Sequence, residues 1–498
     1  MSDQKWDQCQ PPYPPLSCAP DGFSGHNYSQ GAVGAVNAAL GAGVDVNCGP
    51  LYRMWLAGLV ANGSVAEALL DVSVARVYTT AISLGLLDTA VPQVYAGYGA
   101  ESVDSAEHRA LALRAAQESL VLLKNDGVLP LAPGLKLAFI GPHANATQDF
   151  LSNYYGSNTL VDAHSPLAVA RARGWAVSYA RGCNICDVTP PGFPNMPCPP
   201  GAASNASMIP AAAAAAAAAD VAILFVGLDQ TSEAENFDRD TLALPGVQDA
   251  LVAAVLAAQP NTVLVLVHGG PVAAPAAFAG ARAILDAVYG GELAGDAIVD
   301  ALTGAAAPAG KLAVTFYFNN ITNRDIRDMD LSSAGGITHS YFTGPVLFPF
   351  GAGLTYARFL WAWSGRAPAL TVAAADLAAW AHAGGAARPP RVVATLELTV
   401  SHAGGPASDV VTLAFVRPAG AAAARARPTL PVQSLVAFAR ERELRLHDAR
   451  RLSLPVHAHA LAALAGCLGD GGDAPRLGEY IVTVGDGDGA ATATLRVV

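Results

Sequence analysis

Charge is scarce in this sequence: Asp, Glu, Lys and Arg make up 14% of its 498 residues, and 29 basic side chains face 40 acidic ones, for a net charge of −11. A chain of that sign lacks the electrostatic drive that binding a phosphate backbone requires, so nucleic acid is excluded as a partner class. Long apolar runs are missing as well. The nearest approach, the alanine run from Ala211 followed by Val221 to Val226, is broken by Asp220, and a spanning helix needs about 20 apolar residues. No membrane partner is expected. The start, Met1-Ser2-Asp3-Gln4-Lys5-Trp6, has neither the basic residues nor the apolar core of a secretory signal. Cysteine is sparse, seven in all. Cys183-Asn-Ile-Cys186 has metal or redox spacing, but no second ligand pair accompanies it, so loop disulfides or ordinary thiols fit better, and neither metal nor cofactor is expected.

Apolar residues, in contrast, make up 52% of the chain, which together with the length implies a folded protein of two to four domains. From Ser64 to Gly85 the sequence reads as a helix. Ser64 and Glu67 have capping-box spacing, Leu70, Val74, Val77, Ala81 and Leu84 share one face, and Gly85 supplies the stop. A second helix is expected from Ala106 to Leu123, closed by a turn at Asn125-Asp126-Gly127. Continuous apolar runs then alternate with amphipathic helices. The runs are Lys136 to Ile140, Val221 to Val226, Thr262 to Val267 and Ala283 to Val288, with helices starting near Pro166, Pro210, Val247 and Leu293. This pattern predicts buried parallel strands with crossover helices, an open α/β sheet over about residues 120 to 315.

Past Tyr356 the pattern changes to short alternating runs, Ala394 to Val400, Asp409 to Phe415, Arg442 to Leu446 and Tyr480 to Val484, which predict an all-β sandwich. Ala419 to Pro428 reads as a loop between strands, and the arginines from 440 to 451 as a solvated sheet face rather than an anion site.

In an open α/β sheet, ligands bind beyond the carboxyl ends of the strands. That rule singles out the segment after Val226, running from Gly227 to Arg239 with Asp229, Glu233, Glu235 and Asp238 in it. Four carboxylates on one loop bind a cation, pair with Arg239, do acid/base work or form a solvated loop; an EF-hand spacing is absent.

The same loop resembles the acid/base segment of glycoside hydrolase family 3, in its β-xylosidase and α-L-arabinofuranosidase branch. Seven further stretches occur in that family's order: Ala42 to Gly49, Leu84 to Asp88, Glu118 to Asn125, Ile140 to Thr147, Gly269-Gly270-Pro271-Val272, Gly310-Lys311-Leu312 and Gly344 to Gly351. One departure stands out, Gly336-Ile337-Thr338-His339-Ser340-Tyr341, where the family more often has Gly-Arg-Thr-Tyr-Arg-Phe.

The resemblance implies a multidomain α/β plus all-β protein. Residues 1–100 would be a remnant of the C-terminal part of a (β/α)8 barrel, 101–355 an α/β sandwich with a mostly parallel sheet, and 356–498 a fibronectin type III-like β-sandwich. A whole barrel takes about 250 residues, so most barrel strands are expected to lie outside this chain, which would also account for the missing signal.

The implied chemistry is retaining hydrolysis of terminal xylosyl or arabinosyl residues of cell-wall oligosaccharides, by an aspartate nucleophile and a glutamate acid/base about 5 to 5.5 Å apart. The acid/base is expected at Glu233, with Glu235 as the alternative. The nucleophile is expected at Asp3, with Asp21 as the alternative. His26, Tyr28, Asp238 and Arg239 are candidates for sugar contact, and Asp238 with Arg239 is also expected to form an ion pair that orients the loop. The expected partner is an oligosaccharide or glycoside.

An extracellular or cell-wall location follows from the same resemblance and would allow glycosylation at Asn27, Asn62, Asn145, Asn205 and Asn320. The competing reading is a catalytically dead remnant that binds carbohydrate or a protein partner. A nucleotide-binding α/β protein is a distant third, because no Gly-rich phosphate loop follows a strand.

Overall fold

The computed structural model describes residues 31–48, 51–87, 97–152, 154–155, 164–186, 205–234, 239–325, 328–382, 391–420, 422, 430–465 and 477–498. The chain divides into two compact units, Met1–Ser105 with Arg324–Asp330, and Ala106–Asn323 with Leu331–Val498.

In the first unit, helix α1 (Gly31–Gly41) is followed by a π-helical turn (Tyr52–Leu56) and by α2 (Glu67–Ser83). Val36, Leu40, Leu51, Leu59 and Val65 form a small core. Gly85, at φ +70°, ends α2 as expected: its N–H donates to Ile82 O, and that of Leu86 to Ala81 O. The capping box does not form. The Ser64 N–H donates instead to Asn62 Oδ1 at 2.9 Å, and this local turn delays the helix to Glu67. Nor is the expected apolar face covered, since Ser73 is buried while Val74, Val77 and Leu84 are exposed. Periodicity decides which residues share a face; it does not decide what packs on it.

The second unit begins with α3 (Ala106–Ser119), which stops four residues short of its expected end. Val121–Asn125 is a strand, β1, paired antiparallel with β6 (Ala283–Asp286). The run Leu120-Val121-Leu122-Leu123 suits a buried helix end or a buried strand equally, and the open edge of β6 supplies the hydrogen bonds that favour the strand. The turn after it is as expected, with the Gly127 N–H donating to Asn125 Oδ1 at 3.1 Å.

Between β1 and β6 lie β2 (Leu137–Ile140), β3 (Val177–Ala180), β4 (Val221–Gly227) and β5 (Thr262–Val267). The sheet order is β1-β6-β5-β4-β2-β3, parallel except at β1. The crossover helices include α4 (Pro166–Ala172), α5 (Ile209–Ala217), α6 (Gln248–Ala258), α7 (Pro275–Gly280) and α8 (Ala294–Thr303). Pro166 and Pro210 sit in first turns, where a missing N–H costs nothing. Every residue of β4 and β5 is buried, because the sheet separates two apolar layers, one around Phe139, Phe225 and Val265, the other around Leu224, Leu266 and Phe316.

A short antiparallel pair follows, β7 (Phe316–Tyr317) with β8 (Val346–Phe348), and two further sheets share one core in an all-β sandwich. One has five strands, β10 (Ala369–Val372), β16 (Ala491–Val497), β15 (Gly478–Val484), β12 (Ser408–Pro418) and β13 (Ser434–Leu444). The other has three, β14 (Ala449–His457), β11 (Val392–Gly404) and β9 (Arg358–Trp363). Burial alternates along β12, as the sequence alternation requires.

The expected strand at Arg442 to Leu446 is displaced. It is the tail of β13, and positive φ at Glu443 and His447 breaks the extended chain, leaving Leu446 exposed. Most of the stretch from Ala419 to Pro428 lies outside the described residues.

The arginine face is not merely solvated. Arg442 grips the Glu118 carboxylate at 2.9 and 3.3 Å, and Arg440 donates to Asp409 Oδ2 at 2.8 Å and to Glu118 O at 2.9 Å. These contacts tie the sandwich to the end of α3. The departure at Gly336 to Tyr341 is packed too, with the His339 ring stacked on Phe350 at 4.1 Å and edge-on to Phe415.

Candidate active site

In the parallel sheet the chain moves outward from β2 to β3, then returns past β2 to β4 and continues through β5 to β6. The strand order therefore reverses between β2 and β4, the place where open α/β sheets take their ligands. The loops after β2, β4, β5 and β6 stand at these strand ends.

The loop after β4 leaves the sheet through Gly227. A Cβ there would lie 1.8 Å from Val267 O, so only glycine allows β4 and β5 to approach this closely at the rim. Buried Gln248, at the start of α6, clamps the same residue: its Oε1 accepts the Gly227 N–H and its Nε2 donates to Gly227 O, both at 2.8 Å. Asp229 then turns the loop by accepting from Thr231 N–H at 2.9 Å and Thr231 Oγ1 at 2.5 Å. Burial pushes the Asp229 carboxyl above the usual range, partly countered by the Thr231 hydroxyl.

That turn delivers Glu233 to the rim. Its Oε1 accepts from Gly269 N–H at 2.5 Å, Tyr289 Oη at 2.9 Å and Gly270 N–H at 3.2 Å. Its Oε2 accepts from Gly270 N–H at 3.0 Å and lies 3.5 Å from Arg239 Nε. Each of these neighbours is a donor, the set that a carboxylate acceptor uses best. The Glu233 side chain remains 16% exposed.

Burial foremost, then Glu233, pushes the Tyr289 phenol far above its ordinary value, so it stays a donor at any working pH. Burial pulls the Arg239 guanidinium down and the Glu233 charge opposes it. Arg239 Nη2 donates to Pro271 O at 3.0 Å, while its Nη1 is buried without a protein acceptor.

The loop after β2 adds His143, whose Nδ1 is 3.0 Å from Asp149 Oδ2 and whose Nε2 is buried without a partner. At the ends of β5 and β6 lie His268 and Asp286, with Nε2 and Oδ1 3.0 Å apart. Among the described residues no cluster of His, Cys, Asp and Glu could hold a metal ion. In the Cys183-Asn-Ile-Cys186 segment, Cys186 is disulfide-bonded and Cys183 is buried.

Of the residues expected from sequence, Glu233 and Arg239 are brought together. At the strand ends Arg239 faces the Glu233 carboxylate. Asp238, Glu235, Asp3, Asp21, His26 and Tyr28 lie outside the described residues. Sequence reasoning did not assign Tyr289, His268 or Asp286 to the site. Their one signal is position, since each follows or ends an apolar strand run, where the rule that selected Glu233 applies equally.

Residues 120–356 match the glycosyl hydrolase family 3 C-terminal domain. The chain is 33% identical over 458 residues to a probable exo-1,4-beta-xylosidase bxlB of Aspergillus fumigatus, covering 89% of this chain and 55% of that protein. It is 32% identical over 481 residues to the exo-1,4-beta-xylosidase bxlB of Emericella nidulans, covering 95% and 59%. Among solved structures it is similar to a GH3 exo-beta-xylosidase (XlnD) in complex with a xylobiose aziridine probe, with a TM-score of 0.75, 26% identity, and coverage of 95% of this chain and 59% of that one. The chain thus spans little more than half the length of the curated relatives it matches. With a parallel sheet, a carboxylate held at its switch-point rim and these matches along nearly its whole length, residues 120–356 are a C-terminal domain of glycoside hydrolase family 3 in a chain similar throughout to that family's exo-1,4-beta-xylosidases.

Proposed function

We propose that this protein takes part in retaining hydrolysis of β-glycosides, with Glu233 as the acid/base that protonates the leaving oxygen and then activates water. The observation that carries this reading is the placement of Glu233: a partly exposed carboxyl beyond the carboxyl ends of the parallel strands, oriented by two backbone N–H groups, a phenol and a guanidinium. A carboxyl so fixed loses little entropy when it meets a substrate oxygen. The nucleophile in this proposal is Asp3, with Asp21 as the alternative, and the sugar is a terminal xylosyl or arabinosyl residue, the class named for the curated relatives being exo-1,4-beta-xylosidases.

The domain division proposed with it is 1–100, 101–355 and 356–498, the last being fibronectin type III-like. An extracellular setting is part of the proposal, and the sequon residues Asn62, Asn145, Asn205 and Asn320 are all exposed.

The test is release of nitrophenol from a nitrophenyl β-xyloside. Glu233→Gln should lower turnover by about 10²–10⁴-fold, and azide, which attacks without a general base, should restore it. Asp3→Asn should abolish turnover without azide rescue. No turnover by wild-type protein that unfolds cooperatively would overturn the catalytic reading in favour of a binding role.

A further inference from the structure

Behind the two segments that hold Glu233 lies a pair of buried groups with no role in the chemistry above. His268 is 2% and Asp286 1% exposed, and His268 Nε2 is 3.0 Å from Asp286 Oδ1. An isolated charge at such a depth is costly, and a facing opposite charge is what makes it tolerable. Both ring nitrogens of His268 and Asp286 Oδ2 lack a hydrogen-bond partner, so the two groups meet as a close charge pair rather than through an aligned hydrogen bond, and neither is fully satisfied by the other.

The position of the pair gives it a consequence. His268 is the residue immediately before Gly269 and Gly270, whose N–H groups both donate to Glu233. Asp286 Oδ1 also accepts the N–H of Val288 at 3.3 Å, and Val288 is the residue immediately before Tyr289, whose hydroxyl is a further donor to Glu233. Val288 has φ +43°, a conformation a β-branched residue adopts only when its surroundings impose it. One carboxylate thus braces both arms of the cradle.

The groups facing His268 are Asp286 from β6 and Glu233 and Arg239 from the loop after β4. The ring of Phe316 packs edge-on at 5.5 Å and brings no charge. Burial pulls the imidazole down, but the attraction of Asp286 and then Glu233 outweighs it, so His268 is held above its ordinary value.

We propose that His268, as an imidazolium paired with Asp286, is a positioning residue for Glu233: the pair fixes the Gly269–Gly270 and Val288–Tyr289 segments and couples its own proton to the charge of Glu233. This inference rests on the reading of Glu233 as the acid/base, and coupling between the two sites is reciprocal by linkage.

The experiment is NMR titration of the His268 imidazole in protein labelled with carbon-13 at histidine, with the signal assigned by its loss in His268→Gln. In wild-type protein the imidazole should remain charged above about pH 6.5, the ordinary histidine value. Asp286→Asn should bring its midpoint to that value or below. Glu233→Gln should lower it by roughly half a pH unit or more, as expected of charges a few ångströms apart in a partly screened interior.

A midpoint unchanged in Glu233→Gln overturns the proposal, whatever Asp286→Asn does, because a purely structural pair would not sense that charge. If Asp286→Asn does not fold, the Glu233→Gln arm decides alone. The readout needs no turnover. A downward shift in an inactive protein supports the inference while the catalytic reading fails; turnover lost in Glu233→Gln without a shift does the reverse.

Discussion

Tyr289→Phe removes a single hydroxyl and leaves the ring, which packs against the layer around Phe225, in place. No cavity is created, so the cost comes almost wholly from the O–H donor lost to Glu233 Oε1, now 2.9 Å away. A hydrogen bond to a charged group contributes about 1.5–3 kcal/mol. The lower end applies, because Oε1 keeps the Gly269 and Gly270 amides as donors. About 1.5 kcal/mol corresponds to roughly tenfold in an equilibrium constant.

Hydrogen exchange read by mass spectrometry at the carboxyl ends of β4 and β5 measures that quantity locally, without requiring a chain of two units to unfold in one step. Exchange there should be about tenfold faster in Tyr289→Phe than in wild type. In a Glu233→Ala background the same substitution should cost less than about 0.5 kcal/mol, since the acceptor is already gone. Equal acceleration in both backgrounds, or none in wild type, would refute the claim that Tyr289 acts on Glu233.

Gly270→Ala places a Cβ 2.6 Å from Arg239 Nη2 and 3.1 Å from Glu233 Oε2, and Gly269→Ala places one 2.9 Å from Glu233 Oε1 and from the Tyr289 ring. Either should lower xyloside turnover by about 10- to 100-fold, the cost of a misplaced reacting group, with an unchanged circular dichroism spectrum. For Glu118, the Arg442 hydrogen bond first, then the charges of Arg440, Arg442 and Arg114, hold the carboxyl below its usual range. Its stabilisation is therefore present above about pH 4.3 and lost as pH falls through the lower folded value; melting curves between pH 3 and 5 should show Glu118→Gln losing less stability than wild type. His268 runs the other way. Its raised folded value means a stabilisation complete below about pH 6.5 and lost as pH rises through the folded value, so Asp286→Asn should flatten the alkaline side of the wild-type melting profile.

The apolar runs at Val221 and Thr262 announced strands covered on both faces, and both are buried throughout. The rule that sites form beyond strand ends then pointed to the loop carrying Glu233. It could not reveal that the partners of Glu233 are 36 and 56 residues further on, because nothing in the local pattern of Val267 to Pro271 or Ala287 to Gly291 distinguishes a cradle from any other strand exit. Where a segment fitted two structures, long-range pairing chose: Val121 to Asn125 would suit a helix end, but β6 offered an edge. Arg440 and Arg442 had the alternation of a solvated face, and their role appeared only when α3 brought Glu118 against them.

The sequence by itself determined the periodicities, hence the α/β and all-β regions, the crossover helices and the order of motifs, because backbone geometry converts spacing along the chain directly into faces of helices and strands. The tertiary structure decided which strand exits stand side by side: the return of the chain past β2 to β4, and then to β5 and β6, gathers Glu233, Gly269, Gly270 and Tyr289 at one rim. That choice belongs to strand order and register, which are set by contacts between distant segments and are written in no local stretch of sequence.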